Sequence, residues 1–239
     1  MTPRSGRSSP ATQPAPRARR RTLTREQVLT TALAIVDAEG LTALTMRRLA
    51  AELGVEAMSL YTHVRDKQDL INGMNIVVLS QLNRPTEVTD WPDVLTVFAR
   101  RLYAAYLPRP ELARALERTV PSNPQAFGAM ERVLAALAQS GLAPSDQVSA
   151  FRGVIAVCLG FVIVHAGEPT APRPTDDRPW AGWDESTMAA SALPHIVELA
   201  PAFETTTNDD DFDFVIGACI DALRAKSEAQ RRRRVTAPR

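Results

Sequence analysis

The sequence predicts an all-helical protein with a small N-terminal helical domain and a larger C-terminal one. Apolar residues recur at three- and four-residue intervals in one segment after another, and these segments are bounded by helix-capping residues, glycine or proline. No segment shows the alternation of apolar and polar residues that is typical of a half-buried strand, and no repeat is present. The 239 residues, 45% of them hydrophobic, are enough to bury a sizeable core.

Four helices are predicted in the N-terminal domain, which we place at residues 22–83. The first starts with a capping box formed by Thr24 and Gln27 and ends at Gly40. Thr45 caps the second, which Gly54 stops, and Asp66 caps the fourth. The predicted spans are about 24–40, 45–54, 56–63 and 66–82.

Six further helices are predicted in a C-terminal domain at residues 84–228. They are separated by prolines, by Gly141 and by the loop GEPTAPRPTDDRPWAG. The predicted spans are about 92–107, 110–118, 123–140, 145–166, 184–200 and 210–228. The span 145–166 is apolar nearly all round, so we expect other helices to surround it. Its longest uncharged stretch has 14 residues, fewer than a bilayer-spanning helix needs, so no membrane partner is expected.

Positive charge is concentrated at the two ends of the chain. The net charge is only +1, yet residues 1–25 hold seven arginines and no acid, and residues 224–239 hold seven cations and one glutamate. The ends therefore favour a polyanion and the middle does not. Residues 1–21 lack apolar periodicity and are predicted to be a disordered basic tail, and residues 229–239 a basic C-terminal tail.

The second and third predicted helices have the layout of a helix-turn-helix, with Gly54 in the turn. If Leu60 and Val64 point inward, one uncharged face of the third helix remains outside. It consists of Ala57, Met58, Tyr61 and Thr62. Such a compact face suits the major groove of DNA, where short polar and apolar side chains read base edges and thymine methyl groups.

Cations follow this face along the chain. His63 and Lys67 are expected to meet phosphates, together with the backbone amides at the start of the helix that Asp66 caps. The order of residues therefore indicates that bases are read by the short helix and that the sugar-phosphate backbone is held beside it.

Residues 22–71, TLTREQVLTTALAIVDAEGLTALTMRRLAAELGVEAMSLYTHVRDKQDLI, resemble the N-terminal domain of the TetR family of transcriptional regulators. The segments LTMRRLAAELGV and SLYTHVRDKQDL, at this separation, are close to a family signature. The resemblance implies that Thr45 and Ser59 touch phosphate and that Arg47 reaches a base edge or a phosphate. It also implies a groove-facing set, Glu56, Ala57, Met58, Tyr61 and Thr62, and backbone contacts from His63 and Lys67.

The sequence from Trp91 onward resembles more loosely the effector domain of tetracycline-repressor-type members. Those members bind tetracycline through a magnesium ion and a histidine of the effector domain. Residues 100–122, where this histidine would be expected, contain none, so magnesium-tetracycline is not the expected ligand. A largely apolar small molecule is expected instead, in a cavity beside the helix at 145–166. The candidate lining residues are Phe98, Leu102, Leu116, Pro121, Met130, Ile155 and Leu159, for which filling of the core is the alternative.

The last two predicted helices carry broad apolar stripes, with Met188 to Leu199 on one and Phe212 to Leu223 on the other. Each stripe is wider than packing against the chain's own core requires, which indicates that a second protein chain covers part of it. Two such helices from each of two chains would form a four-helix interface in a homodimer, as in the resembled family. Two-fold symmetry then predicts a palindromic DNA site.

The expected function is therefore a ligand-responsive, homodimeric repressor in the cytoplasm. A nonspecific nucleic-acid-binding or architectural protein that acts through its basic tails is the alternative. An enzyme is not expected, because no arrangement of nucleophile and base, phosphate loop or metal-ligand spacing is found. No metal or cofactor is expected, and Cys158 and Cys219, both in apolar patterns, are expected to be reduced core thiols.

Overall fold

The computed structural model describes residues 23–84, 87–116, 124–165 and 194–236. These residues form helices joined by turns and include no strand, so the all-helical prediction is confirmed. The helices are α1 Arg25–Glu39, α2 Met46–Leu53, α3 Ala57–Leu60, α4 Lys67–Gln81, α5 Trp91–Tyr106, α6 Pro110–Leu116, α7 Pro124–Ala138, α8 Pro144–His165, α9 Pro194–Thr205 and α10 Asn208–Thr236.

The N-terminal helices begin and end where their capping residues predict. Thr24 and Gln27 form the capping box of α1, and the Asp66 carboxylate accepts the Asp69 N–H at 2.7 Å at the start of α4. Gly54 ends α2 in the left-handed region at φ 66°, a conformation that costs glycine least. α1 packs on α2 and α4, and α2 on α3, around side chains that are almost fully buried. Among them are Val28, Ala32, Leu49, Leu60, Leu70 and Met74.

The third helix is shorter than predicted. α3 covers only Ala57–Leu60, and turns carry the chain on to His63 instead of a regular helix. The Tyr61 N–H bonds to the Met58 carbonyl and the His63 N–H to the Leu60 carbonyl, at 3.3 and 2.9 Å. These bonds span three residues, not four, and so tighten the turn. The next helix, α4, begins at Lys67, so this turn connects the two helices.

The C-terminal helices pack around α5 and α8. α5 lies against α7, α8 and α10, while α6 is placed between α4 and α8. Cys158 of α8 is buried, and burial raises the pKa of its thiol to about 12. Both Cys158 and Cys219 are free, although Cys219 is only half-buried. α6 and α7 each touch both the connecting helix α4 and the central helix α8.

The prediction that other helices surround α8 is wrong within a single chain. Ala150, Val154 and Cys158 are buried, but Gly153 and Gly160 face open space and Val164 is 74% exposed. By length and composition alone, α8 could cross a bilayer, with 22 residues and a mean hydropathy of 2.0 over its most apolar window. It is longer than the uncharged stretch because it begins at Pro144 and includes charged residues. In this fold α8 is a helix of the C-terminal bundle with one uncovered face.

The last two helices also end beyond their predicted limits. α9 continues through Pro201 to Thr205, whereas its predicted start, 184–193, lies outside the described residues. α10 runs to Thr236 instead of ending near residue 228, so most of the predicted C-terminal tail is helical.

The extra turns of α10 have a tertiary cause, because their side chains bond the turn between α7 and α8. Gln230 accepts the Ala143 N–H at 2.7 Å and donates to Asp146 at 2.6 Å, and Arg231 donates to the Ser140 carbonyl at 3.0 Å. These partners are more than eighty residues away along the chain. A local sequence pattern cannot reveal such distant partners, so it does not predict the extension of α10.

Candidate nucleic-acid interface and effector cavity

The outer side of α3 is exposed and uncharged. Leu60 and Val64 are buried at 0% and 1%, while Met58 and Tyr61 are 74% and 47% exposed. Two large hydrophobic side chains, one on α3 and one at its C-cap, therefore stand in solvent. Ala57 is half-buried and packs against the core, so it lies at the edge of this face instead of at its centre.

The other residues predicted to contact DNA lie around this face. Glu56, Ser59 and Thr62 are exposed, and the Thr62 hydroxyl donates to the Ser59 carbonyl at 2.7 Å. Thr45 is the N-cap of α2, where its hydroxyl oxygen accepts the Arg48 N–H at 3.1 Å and keeps its own proton free to donate. Arg47, on the first turn of α2, is also exposed.

The turn from α3 to α4 is held by a salt bridge across the domain. Arg25 of α1 bonds both carboxylate oxygens of Asp69, at 2.9 and 3.1 Å, and also donates to the His63 carbonyl. Asp69 further accepts the Arg65 N–H at 3.0 Å. The Arg25 guanidinium holds the pKa of the Asp69 carboxyl below its usual value. The starts of α1 and α4 are thereby tied to the turn that follows α3.

The same contacts limit what the start of α4 offers to a phosphate. The Asp66 and Asp69 carboxylates already accept the Asp69 and Arg65 N–H groups. Fewer amides are therefore available than the sequence indicates, so cationic side chains must supply more of the attraction. Lys67 is exposed and His63 half-buried at this edge.

An apolar cavity of about 490 Å³ lies between the end of α4 and helices α5 to α8. It includes six of the seven residues predicted to line it: Phe98, Leu102, Leu116, Met130, Ile155 and Leu159. The seventh, Pro121, lies outside the described residues. The other lining residues are Leu79, Leu82, Ala113, Arg114, Phe127, Ala129, Phe151, Arg152, Ala156 and Ile163.

The two arginines of this cavity are absent from the sequence prediction. Arg152 could have been found, because it is a cation within a long apolar helix. Arg114 shows no such contrast in α6, so only the packing of α6 on α8 brings it to the cavity.

A buried polar group joins the cavity helices to the N-terminal domain. Asn75 of α4 is fully buried, donates to the Leu112 carbonyl of α6 at 3.2 Å and accepts the Tyr106 hydroxyl of α5 at 3.2 Å. Burial raises the pKa of Tyr106, so its hydroxyl stays protonated and donates. Three helices thus meet at one amide.

Two family models match the chain. Residues 28–74 match the tetR family of bacterial regulatory proteins, and residues 84–232 match the tetracycline repressor-like C-terminal domain. The chain belongs to the TetR family of transcriptional regulators. The resemblance inferred from the N-terminal motifs is therefore confirmed, and the second match extends it over more than half of the chain.

Known TetR relatives match over most of their length. The HTH-type transcriptional repressor DrrR1 of Streptomyces coeruleorubidus is 32% identical, over 84% of this chain and 77% of that protein. The tetracycline repressor protein class G of Vibrio anguillarum is 29% identical, over 81% and 90%. ActR of Streptomyces coelicolor, solved in complex with (S)-DNPA, is 29% identical with a TM-score of 0.70, over 86% of this chain and 98% of that one.

The predicted function is confirmed at the level of the family: the chain is a ligand-responsive DNA-binding repressor. Regulators of the TetR family are in general non-enzymatic DNA-binding proteins. The alternative, a nonspecific nucleic-acid-binding protein that acts through its basic tails, is not favoured, because both domains of a sequence-reading regulator are present.

Proposed function

We propose that this TetR-family protein is a cytoplasmic homodimer that represses transcription from a palindromic operator and is released by a small, largely apolar molecule. The observation that carries the proposal is the pair Met58 and Tyr61, exposed on an uncharged face with Arg47 and Lys67 beside it. A face of this kind fits base edges, whereas the flanking cations fit phosphates.

The DNA-contacting set that we propose is Thr45, Arg47, Glu56, Ala57, Met58, Ser59, Tyr61, Thr62, His63 and Lys67. Within it, Met58 and Tyr61 supply apolar contact to thymine methyl groups. Thr62 already uses its proton on the Ser59 carbonyl, so it offers only its oxygen. Ala57 contributes at the rim, since it is partly covered by its own domain.

The dimer is proposed to form through α8 and α10, which pack against each other and share an uncovered face. On α10, Phe212, Ile216 and Ile220 are buried in the chain's own core, so they are not free for a partner as the sequence indicates. Instead Phe214 is 77% exposed, and Val164 of α8 is 74% exposed.

Small residues on the same face support this interface. Gly153, Gly160 and Gly217 have no atom near the position that a Cβ would take. A second pair of helices can therefore approach closely and bury Phe214 and Val164. Covering them removes apolar surface from water, which favours association by about 25 cal/mol per Å².

The effector is proposed to bind in the 490 Å³ cavity, whose volume suits a drug-sized molecule. ActR, a structural relative, has been solved with (S)-DNPA bound. Binding would favour a spacing of the two N-terminal domains that no longer matches adjacent major grooves, about 34 to 36 Å apart. The bias can be no larger than the difference in effector affinity between the two states.

Selection of bound sequences from random duplex DNA by the full-length protein tests the proposal. We expect an inverted repeat to be enriched, and sedimentation to give twice the mass of the chain. A protein that lacks residues 1–21 should enrich the same repeat. Loss of all DNA binding on removal of this tail, or a monomer without preference for any inverted repeat, would contradict the proposal.

A further inference from the structure

We propose that the effector is an amphiphilic anion, in which an apolar body carries one acidic group, and that Arg114 and Arg152 bind this group. The inference rests on the proposed effector site and specifies the chemistry of its ligand. It goes beyond a largely apolar molecule, because it predicts that the charge on the ligand, and not only its shape, determines affinity.

The first argument is the composition of the cavity wall. Of the sixteen described residues that line it, fourteen are apolar, two are arginines and none is Asp or Glu. Arg114 lies on α6 and Arg152 on α8, two helices that pack against each other. Among the described lining residues, a ligand therefore meets positive charge without a compensating carboxylate. A cationic ligand would be repelled, and an anionic one attracted.

The second argument is that neither guanidinium has a partner among the described residues. Several other arginines of the chain are paired with carboxylates, such as Arg25 with Asp69 at 2.9 Å and Arg100 with Asp213 at 2.7 Å. No described residue takes up the donors of Arg114 or Arg152 in this way. A guanidinium presents planar pairs of N–H groups, which match a carboxylate or a similar oxyanion.

The third argument is the position of the charges relative to the apolar wall. Both arginine side chains are exposed, whereas Leu102 and Phe98, which also line the cavity, are buried. The aliphatic stems can therefore extend the apolar surface while the heads remain in water at the cavity mouth. A ligand would insert its apolar body first and leave its anionic group at the mouth. The acid is then never fully desolvated, which avoids the large cost of burying a charge.

Two fluorescent probes with the same aromatic body test this inference. 1-Anilinonaphthalene-8-sulfonate carries an anionic sulfonate, and N-phenyl-1-naphthylamine lacks it. Each is titrated into the full-length protein and into the Arg114→Gln, Arg152→Gln and double variants. Arg234→Gln serves as the matched control, because it also removes one exposed positive charge but lies at the end of α10, away from the cavity. Ile155→Trp fills the cavity and shows whether a probe binds there.

We expect the sulfonate probe to bind more tightly than the neutral one, and the double variant to lose about tenfold in affinity for the sulfonate alone, as charge-assisted hydrogen bonds are lost. Arg234→Gln should change neither probe, and Ile155→Trp should weaken both. Equal affinities of the two probes, or equal losses for both in the double variant, would overturn the inference. So would sulfonate binding that Ile155→Trp leaves unchanged.

The proposed function is tested separately by DNA binding. If the protein selects an inverted repeat but does not distinguish the probes, only the anion inference fails. If the sulfonate is preferred through Arg114 and Arg152 but no inverted repeat is selected, the cavity chemistry stands and the operator proposal fails.

Discussion

Arg109 forms a two-nitrogen ion pair with Asp37 and so joins the effector-cavity side of the molecule to the DNA-binding domain. The Nη2–Oδ2 distance is 2.7 Å, and Arg109 also donates to the Ala105 carbonyl at 2.6 Å. Its side chain is 15% exposed and that of Asp37 is 38% exposed. Asp37 lies on α1, and Arg109 directly precedes α6, which contributes to the cavity wall. The pair therefore links α1 to the residue that precedes α6.

Breaking this pair should weaken the contact between the two domains measurably. We expect a double-mutant cycle with Arg109→Met and Asp37→Asn to give a coupling of about 1 kcal/mol in the free energy of unfolding, since the pair is bidentate and partly shielded. Urea denaturation measures it. The Arg100–Asp213 pair, with side chains 60% and 40% exposed, is the control and should couple less. A larger coupling for this exposed pair would contradict the interpretation.

Tyr61→Ala should reduce affinity for the selected operator and leave random DNA nearly unaffected. The side chain is 47% exposed at the end of α3, so its removal does not delete a core contact, and under the proposed function it deletes a base contact. We expect a loss on the order of 1 to 3 kcal/mol on the specific site. Fluorescence anisotropy with both DNAs measures it. Equal losses on the two DNAs would assign Tyr61 to the sugar-phosphate backbone.

Lys67→Ala should weaken binding to every duplex. Lys67 is exposed at the start of α4, where the Asp66 and Asp69 carboxylates already occupy backbone amides. Loss of one phosphate contact should reduce the slope of log affinity against log salt by about one. Anisotropy titrations at several salt concentrations give this slope. An unchanged slope together with a loss on the operator alone would exclude the phosphate role.

Asp69→Asn should destabilise the fold at neutral pH and less so in acid. The Arg25 guanidinium lowers the pKa of the Asp69 carboxyl, so the folded state binds this proton less readily than the unfolded state. The stabilisation is fully present above the unfolded pKa of about 3.9 and is lost as the pH falls through the folded pKa. The difference in unfolding free energy between the two proteins should therefore shrink as the pH falls from 7 towards the folded pKa. Urea denaturation over this range measures it, and a difference independent of pH would contradict the assignment.

Asn75→Leu should cost more stability than its size change implies. The substitution leaves the Leu112 carbonyl and the Tyr106 hydroxyl without this partner in a buried position. We expect a loss of about 1 to 3 kcal/mol in the free energy of unfolding for the unsatisfied groups. Tyr106→Phe, which removes only one donor, is the milder control. If Asn75→Leu is neutral or stabilising, the three-helix polar junction has no energetic role.

Much of the N-terminal domain could be predicted because its signals are local. The Thr24–Gln27 capping box, the left-handed Gly54 and the Asp66 cap each act within a few residues, so a short stretch of sequence contains both partners. The inward and outward sides of α3 followed from helical periodicity, which placed Leu60 inside and Tyr61 outside. Six cavity residues were predicted because large apolar side chains recur on the faces of α5, α6, α7 and α8.

The features that were wrong or absent in the prediction depend on partners distant in sequence. Residues 229–236 read as a charged tail, yet bonds from α10 to the α7–α8 turn extend the helix. One face of α8 is exposed because the helices of a single chain do not cover it. The apolar sequence of α8 predicts burial but does not show how many helices are available to cover it. The sequence by itself determined the helices, their caps and the family. Only the tertiary structure decided that Arg114 and Arg152 line the same cavity and that Arg109 reaches Asp37, because both depend on the close packing of distant helices and not on local propensity.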